Sequence, residues 1–144
     1  MIARSPFVFA LVASIAALAG CDSAERRDAQ SVVIAVTRFR TADNASTPAM
    51  VEALKATPCS APDACKARDD CAATGEATAK ALRLKAEVEK GLDALEKGTI
   101  AKDSPEAAAL PKKLDEAEVL LKQGHDGLAR CDEQIQALKR KHRI

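Results

Sequence analysis

The residues of this chain best equipped for chemistry are its five cysteines, Cys21, Cys59, Cys65, Cys71 and Cys131, and its two histidines, His125 and His142. A zinc site draws its ligands from closely spaced pairs, such as two cysteines with two residues between them. Here five residues separate Cys59 from Cys65 and Cys65 from Cys71, and Cys131 lies far downstream, so no metal site is expected. The chain also lacks a C-x-x-C redox motif and a C-x-x-C-H haem attachment. His125 precedes Asp126, but adjacent helical residues point about 100° apart and cannot work as an acid–base pair. The carboxylates alternate with cations, as in Glu87, Glu89, Lys90, Asp93, Glu96 and Lys97, which is the pattern of a solvated face. No glycine-rich phosphate loop is present. The expectation is a protein with no catalytic residues, no metal and no cofactor.

Cys21 stands apart from the other four. A single early cation, Arg4, precedes an apolar run from Phe7 to Ala19 that is too short to span a bilayer, and the run closes on Leu18-Ala19-Gly20-Cys21. This segment resembles the signal of bacterial lipoproteins, with those four residues as the lipobox. The resemblance covers only the start of the chain, and no functional family is recognised beyond it. It implies that residues 1–20 are a signal peptide removed by cleavage before Cys21. It further implies that Cys21 carries a diacylglycerol thioether and an N-acyl chain such as palmitate. One acyl chain holds a protein only marginally, at about 0.8 kcal/mol per buried methylene, whereas two or three anchor it durably. The implied location is the bacterial cell envelope, facing the periplasm or the exterior. Asp22 resembles the inner-membrane retention signal of enteric bacteria, a rule that varies between bacterial groups, so inner and outer membrane both stay open.

The elements that must position the remaining cysteines read as helices. The chain is rich in alanine, and Phe39 is its single aromatic residue after position 20. Residues 21–144 suit one helical domain. A first helix over about 23–40 places Ala29, Val32, Val36 and Phe39 on one face, although Val32-Val33-Ile34 has strand propensity. Thr47 and Pro48 are expected to cap and open a second, over 48–56. Pro58 and Pro62 break the chain, and a third helix of about 55 Å should run over 61–97 and stop at Gly98. Ser104, Pro105 and Glu106 open a fourth, over 105–141, in which Pro111 should kink the helix or delay its regular part.

Leu110, Leu114, Ala117, Leu121, Gly124, Leu128, Cys131, Ile135 and Leu138 form a 4-3 seam along the fourth helix. On the third helix the matching seam is Cys71, Thr74, Thr78, Ala81, Lys85, Val88, Leu92 and Leu95, with Leu84 covering for Lys85. Folding one helix back on the other about Ala101 sets Leu92 opposite Leu110, Val88 opposite Leu114, Ala81 opposite Leu121, Thr74 opposite Leu128 and Cys71 opposite Cys131. A slip by one heptad also fits the seam, but this register alone pairs two cysteines. The predicted disulfides are therefore Cys71–Cys131 and Cys59–Cys65, the rival being Cys59–Cys71 with Cys65–Cys131. Cys65 and Cys71 cannot pair, because six helical residues separate them by about 9 Å in rise alone. An oxidising envelope favours such bonds. The expected fold is all-α: a three- or four-helix bundle built on a long, disulfide-pinned antiparallel helical hairpin.

Without the signal the charges balance, the body being mildly acidic and the tail 139–144 basic. Lys139, Arg140, Lys141 and Arg143 suit a helix C-terminus, and their functional alternative is contact with an anionic surface. Nucleic acid is not expected, since base stacking needs aromatic side chains. The sequence thus points to a non-enzymatic, lipid-anchored envelope protein acting as a structural or protein-interaction module. Its expected partners are the membrane through its lipid and either an envelope protein or a second copy. The alternative is a small-ligand-binding or sensing lipoprotein, the ligand lying between the first helix and the hairpin.

Overall fold

A computed structural model describes residues 20–144, with side chains from Ala24 onward. The expected signal segment before Gly20 and the side chain of Cys21 lie outside the described residues. The fold is all-α and bundle-like, with four helices among the described residues: α1 (Gly20–Thr41), α2 (Thr47–Lys55), α3 (Pro62–Glu96) and α4 (Pro105–His142). None of them is long and apolar enough to cross a membrane.

In α1 the helical period prevails over the strand propensity of Val32-Val33-Ile34. Ala29, Val32, Val36 and Phe39 are buried, while Ile34 is turned outward. Among the described residues no strand exists for these residues to pair with, and burial of one helical stripe outweighs a few tenths of a kcal/mol of local preference.

The helix ends follow local chemistry, with one correction. Ser104 caps α4 by accepting a hydrogen bond from the Ala107 N–H at 3.2 Å, and Pro105 occupies the position where its missing N–H costs nothing. Gly98, with φ 70°, follows the end of α3, a left-handed conformation that a residue with a Cβ adopts only under strain. Thr47 does not cap α2 as expected. It is the first helical residue, its hydroxyl donates backwards to the Asp43 carbonyl at 2.8 Å, and Asp43 instead accepts from the Ser46 N–H at 2.7 Å. Pro111 does not delay α4, which is continuous from Pro105. It lies in the second turn and exposed to solvent, where the loss of one backbone bond is tolerated.

α3 and α4 lie against each other with residue numbers falling on one as they rise on the other. Gly91 faces Leu110, Glu87 meets Lys113, Lys80 meets Glu116, Thr78 faces Gly124, Thr74 faces Gly127, and Cys71 is bonded to Cys131. Along this line Ala81, Val88, Leu110, Ala117 and Gly124 are buried. A side chain on Gly124 would come within 2.3 Å of the Thr78 hydroxyl, so the two backbones approach closely there.

The larger core occupies one half of the molecule. It joins Ala29, Val32, Val36 and Phe39 of α1, Val51 and Leu54 of α2, α3 as far as Ala79, and α4 from Cys131 to Leu138. α1 runs in the same direction as α3: Asp28 reaches Ser60 and Ala61 just before α3, and Phe39 packs over Gly75 further along it.

Candidate functional site

Three chain segments converge at the end of the molecule where α1 and α3 begin and α4 finishes. The Asp28 carboxylate accepts from the Ser60 N–H at 2.5 Å, the Ser60 hydroxyl at 2.7 Å and the Ala61 N–H at 2.9 Å. These bonds, the Ser60 backbone donor first among them, favour the anion and hold the Asp28 carboxyl below its usual range. α1 thereby supplies the N-terminal cap that α3 lacks from its own Ala61.

On the other side of the α3 start, Asp63 binds the end of α4. Its Oδ2 accepts from Lys141 Nζ at 2.7 Å and lies 2.9 Å from Nε2 of His142, a side chain that is 3% exposed. Partial burial works against ionisation of Asp63. The bonds from Lys141, His142 and the Ala64 N–H prevail and bring its pKa to about 2. Arg26 Nη2 donates to the Arg143 carbonyl at 3.1 Å, so the basic tail lies beside the first turns of α1. Of the tail cations, Lys141 is engaged by Asp63, whereas Lys139, Arg140 and Arg143 make no ion pair among the described residues. His125 is exposed.

The structure pairs Cys59 with Cys65, at a Cα–Cα distance of 5.5 Å, and Cys71 with Cys131, at 4.9 Å. Cys71 and Cys131 are fully buried, whereas Cys59 and Cys65 are only partly covered.

The other half of the molecule has a different character. Beyond Ala79 on α3 and before Cys131 on α4, neither α1 nor α2 contributes to the core, and the two long helices cover only each other. Three seam positions therefore depart from expectation: Leu92, Leu114 and Leu121 are 55%, 45% and 44% exposed. Leu110 covers Gly91 instead of meeting Leu92. Small residues at Ala81, Ala117 and Gly124 draw the backbones together and leave no width for a leucine between them, and among the described residues no third helix covers the leucines beside the line. Val119, on a separate face, is also exposed.

A cleft of about 220 Å³ opens between α3 and α4, lined by Asp70, Ala73, Thr74, Ala77, Gln123, Gly127 and Arg130. It does not involve α1, where a ligand was expected. Asp70 is already occupied, accepting from Lys66 at 2.5 Å and Gln134 at 2.7 Å. Among the described residues no three His, Cys, Asp or Glu side chains come together as metal ligands.

Comparison with protein-family models, with curated proteins and with solved structures found no match to this chain. Site assignment therefore rests on geometry. Sequence reasoning missed the Asp28 cap, the Asp63–His142 contact and the exposed leucines. The first two join residues far apart in the chain and carry no local motif. The third had a signal, the alternation of Ala and Gly with Leu in the seam, which marks a line too narrow to bury every leucine.

Proposed function

We propose that this chain is a non-enzymatic, lipid-anchored protein of the bacterial cell envelope that serves as a structural or protein-interaction module. Its frame is a three- or four-helix bundle on a long antiparallel hairpin of α3 and α4, pinned by Cys71–Cys131. The observation that carries the interaction role is the set of exposed leucines, Leu92, Leu114 and Leu121, on the half of the hairpin that α1 and α2 leave uncovered. Scattered single apolar residues need no explanation, but three large ones along one pair of helices mark a surface suited to a protein partner.

The anchor reading rests on Leu18-Ala19-Gly20-Cys21, and the geometry of α1 supports its consequence. α1 begins at Gly20, so a lipid on Cys21 would hold the clasped end of the bundle close to the membrane. The basic tail lies at that same end through the Arg26–Arg143 contact, where Lys139, Arg140 and Arg143 could each add about 1 kcal/mol on an anionic bilayer. α3, with 35 residues, then carries the leucine-bearing half roughly 50 Å outward.

Crosslinking in whole cells, followed by affinity purification of the tagged, lipidated protein, tests the interaction role. One stoichiometric envelope partner, lost in the Leu114→Glu, Leu121→Glu variant, is the expected result. Crosslinks confined to single copies would refute it. The anchor has its own test: Cys21→Ala should release the protein from membranes, and retention through a carbonate wash would disprove lipidation.

A small-ligand or sensing role is the second reading, and the α3/α4 cleft is the feature that favours it. Its 220 Å³ lies below the roughly 300 Å³ at which ligand pockets begin, and its walls mix polar and apolar groups. Thermal shift with envelope metabolites discriminates the two, since a ligand bound only by the folded state raises the melting temperature.

A further inference from the structure

We propose that Cys59–Cys65 is a thiol–disulfide exchange site for a dithiol oxidoreductase, while Cys71–Cys131 is the structural bond. The two disulfides differ in each property that governs exchange. Cys71 and Cys131 are 0% and 1% exposed and cross-link helices 60 residues apart, so no external thiolate reaches them in the folded state. Cys59 and Cys65 are partly exposed and only six residues apart, where the chain enters α3.

The loop that Cys59–Cys65 closes is also held without it. Arg68 Nη1 donates to the Thr57 carbonyl at 3.0 Å on one side of Cys59, and Asp28 binds Ser60 and Ala61 on the other. Opening the bond therefore leaves the segment 57–61 in place. A disulfide whose loop is secured on both flanks can cycle between oxidised and reduced forms without unfolding the domain.

The surroundings set the direction of attack. Cys65 lies in the first turn of a 35-residue helix, whose positive N-terminal dipole end favours a thiolate. Cys65 is the better leaving group, because the sulfur whose thiolate is stabilised leaves faster. A partner thiolate attacks Sγ of Cys59, the Cys59–Cys65 bond breaks, and Cys65 departs as a thiolate that takes a proton from solvent. The partner's second thiolate then attacks its own sulfur in the mixed disulfide and expels the Cys59 thiolate, which is protonated in turn. Two electrons pass to this chain, and the partner leaves as a disulfide. The same steps in reverse reoxidise the pair. None of this depends on the lipid anchor or on the leucine surface.

The unsubstituted, folded protein is incubated with a reduced thioredoxin-class dithiol protein, quenched with an alkylating agent at intervals, and mapped by mass spectrometry. Cys59 and Cys65 should be alkylated together at least tenfold faster than Cys71 and Cys131. Equal rates, or earlier opening of Cys71–Cys131, would overturn the proposal. With a dithiol protein whose resolving cysteine is replaced by serine, the trapped mixed disulfide should be on Cys59, and predominant trapping on Cys65 would overturn the direction of attack. Cys59→Ser with Cys65→Ser should lower the melting temperature by less than half as much as Cys71→Ser with Cys131→Ser, and an equal or larger drop would show the exposed bond to be structural.

Discussion

Asp63 shows how a single carboxylate ties two helices together and makes the tie dependent on pH. Its pKa falls from the ordinary 3.8 to about 2 because Lys141, His142 and the Ala64 N–H prefer the anion. A carboxyl depressed in the folded state contributes stability that is complete above the unfolded pKa and is lost as pH falls through the folded one. Asp63→Asn should therefore cost roughly 1–2 kcal/mol at neutral pH, after discounting for the part of the side chain that solvent reaches. The difference from the unsubstituted protein should shrink between pH 4 and pH 2. Parallel denaturation curves over that range check it, and a gap that stayed constant would mean the anion contributes nothing. Asp28 acts by the same logic at the other flank of the α3 start. Asp28→Asn weakens three acceptor bonds at once and should raise amide exchange at Ser60 and Ala61. Neither partnership was legible in the sequence, where Asp28 and Asp63 look like ordinary helix-start and surface acids.

At the level of the elements, boundaries were legible wherever a residue with one strong local preference stands: Pro105 after Ser104, Gly98 after Lys97, Pro62 at the start of α3. Thr47 went astray because threonine has two local options, to accept as a cap or to donate to a carbonyl four residues back. The Asp43 carbonyl took the second. Contacts between elements turn on small residues. A Cβ on Gly75 would stand 2.7 Å from Cγ2 of Val51 and 3.0 Å from the Phe39 ring, both buried. Overpacking there costs about 1–3 kcal/mol against a gain of about 1 in helix propensity, so Gly75→Ala should be net destabilising by about 1 kcal/mol. Gly91→Ala meets the Leu110 side chain, its methyl carbons at 2.5 Å and 3.0 Å and its Cγ at 3.3 Å, in the thin half where a leucine can swing aside. That variant should be as stable as the parent or slightly more so. Chemical denaturation of the two side by side decides whether the halves differ in packing as the geometry implies.

Over the whole molecule, stability is concentrated in one half and exposed surface in the other. Cys71–Cys131 sits within the core of the first half and spans 60 residues, for which chain-entropy reasoning assigns about 4 kcal/mol. A domain of this size is stable by only about 5–15 kcal/mol, so Cys71→Ser with Cys131→Ser should remove much of its margin. Far-UV circular dichroism on heating measures that loss, and an unchanged melting temperature would contradict the structural role. Among the described residues the half between Ala79 and Cys131 has no third layer, and its amides should exchange faster than those of the core.

The sequence by itself determined the helical class and the two cysteine pairs. The class follows from period and composition, which act over a few residues, and the pairs follow from where the cysteines fall along two helices that can meet. Tertiary structure decided what lies beside the seam. A 4-3 pattern specifies which residues point toward a partner helix but not how closely the backbones approach or where a third helix stops. Close approach at Ala81, Ala117 and Gly124, together with the short reach of α1 and α2, turned Leu92, Leu114 and Leu121 from expected core into surface. The same meeting of distant segments created the Asp28 and Asp63 contacts at the opposite end, because a carboxylate selects its partners by position in space, which no local pattern encodes.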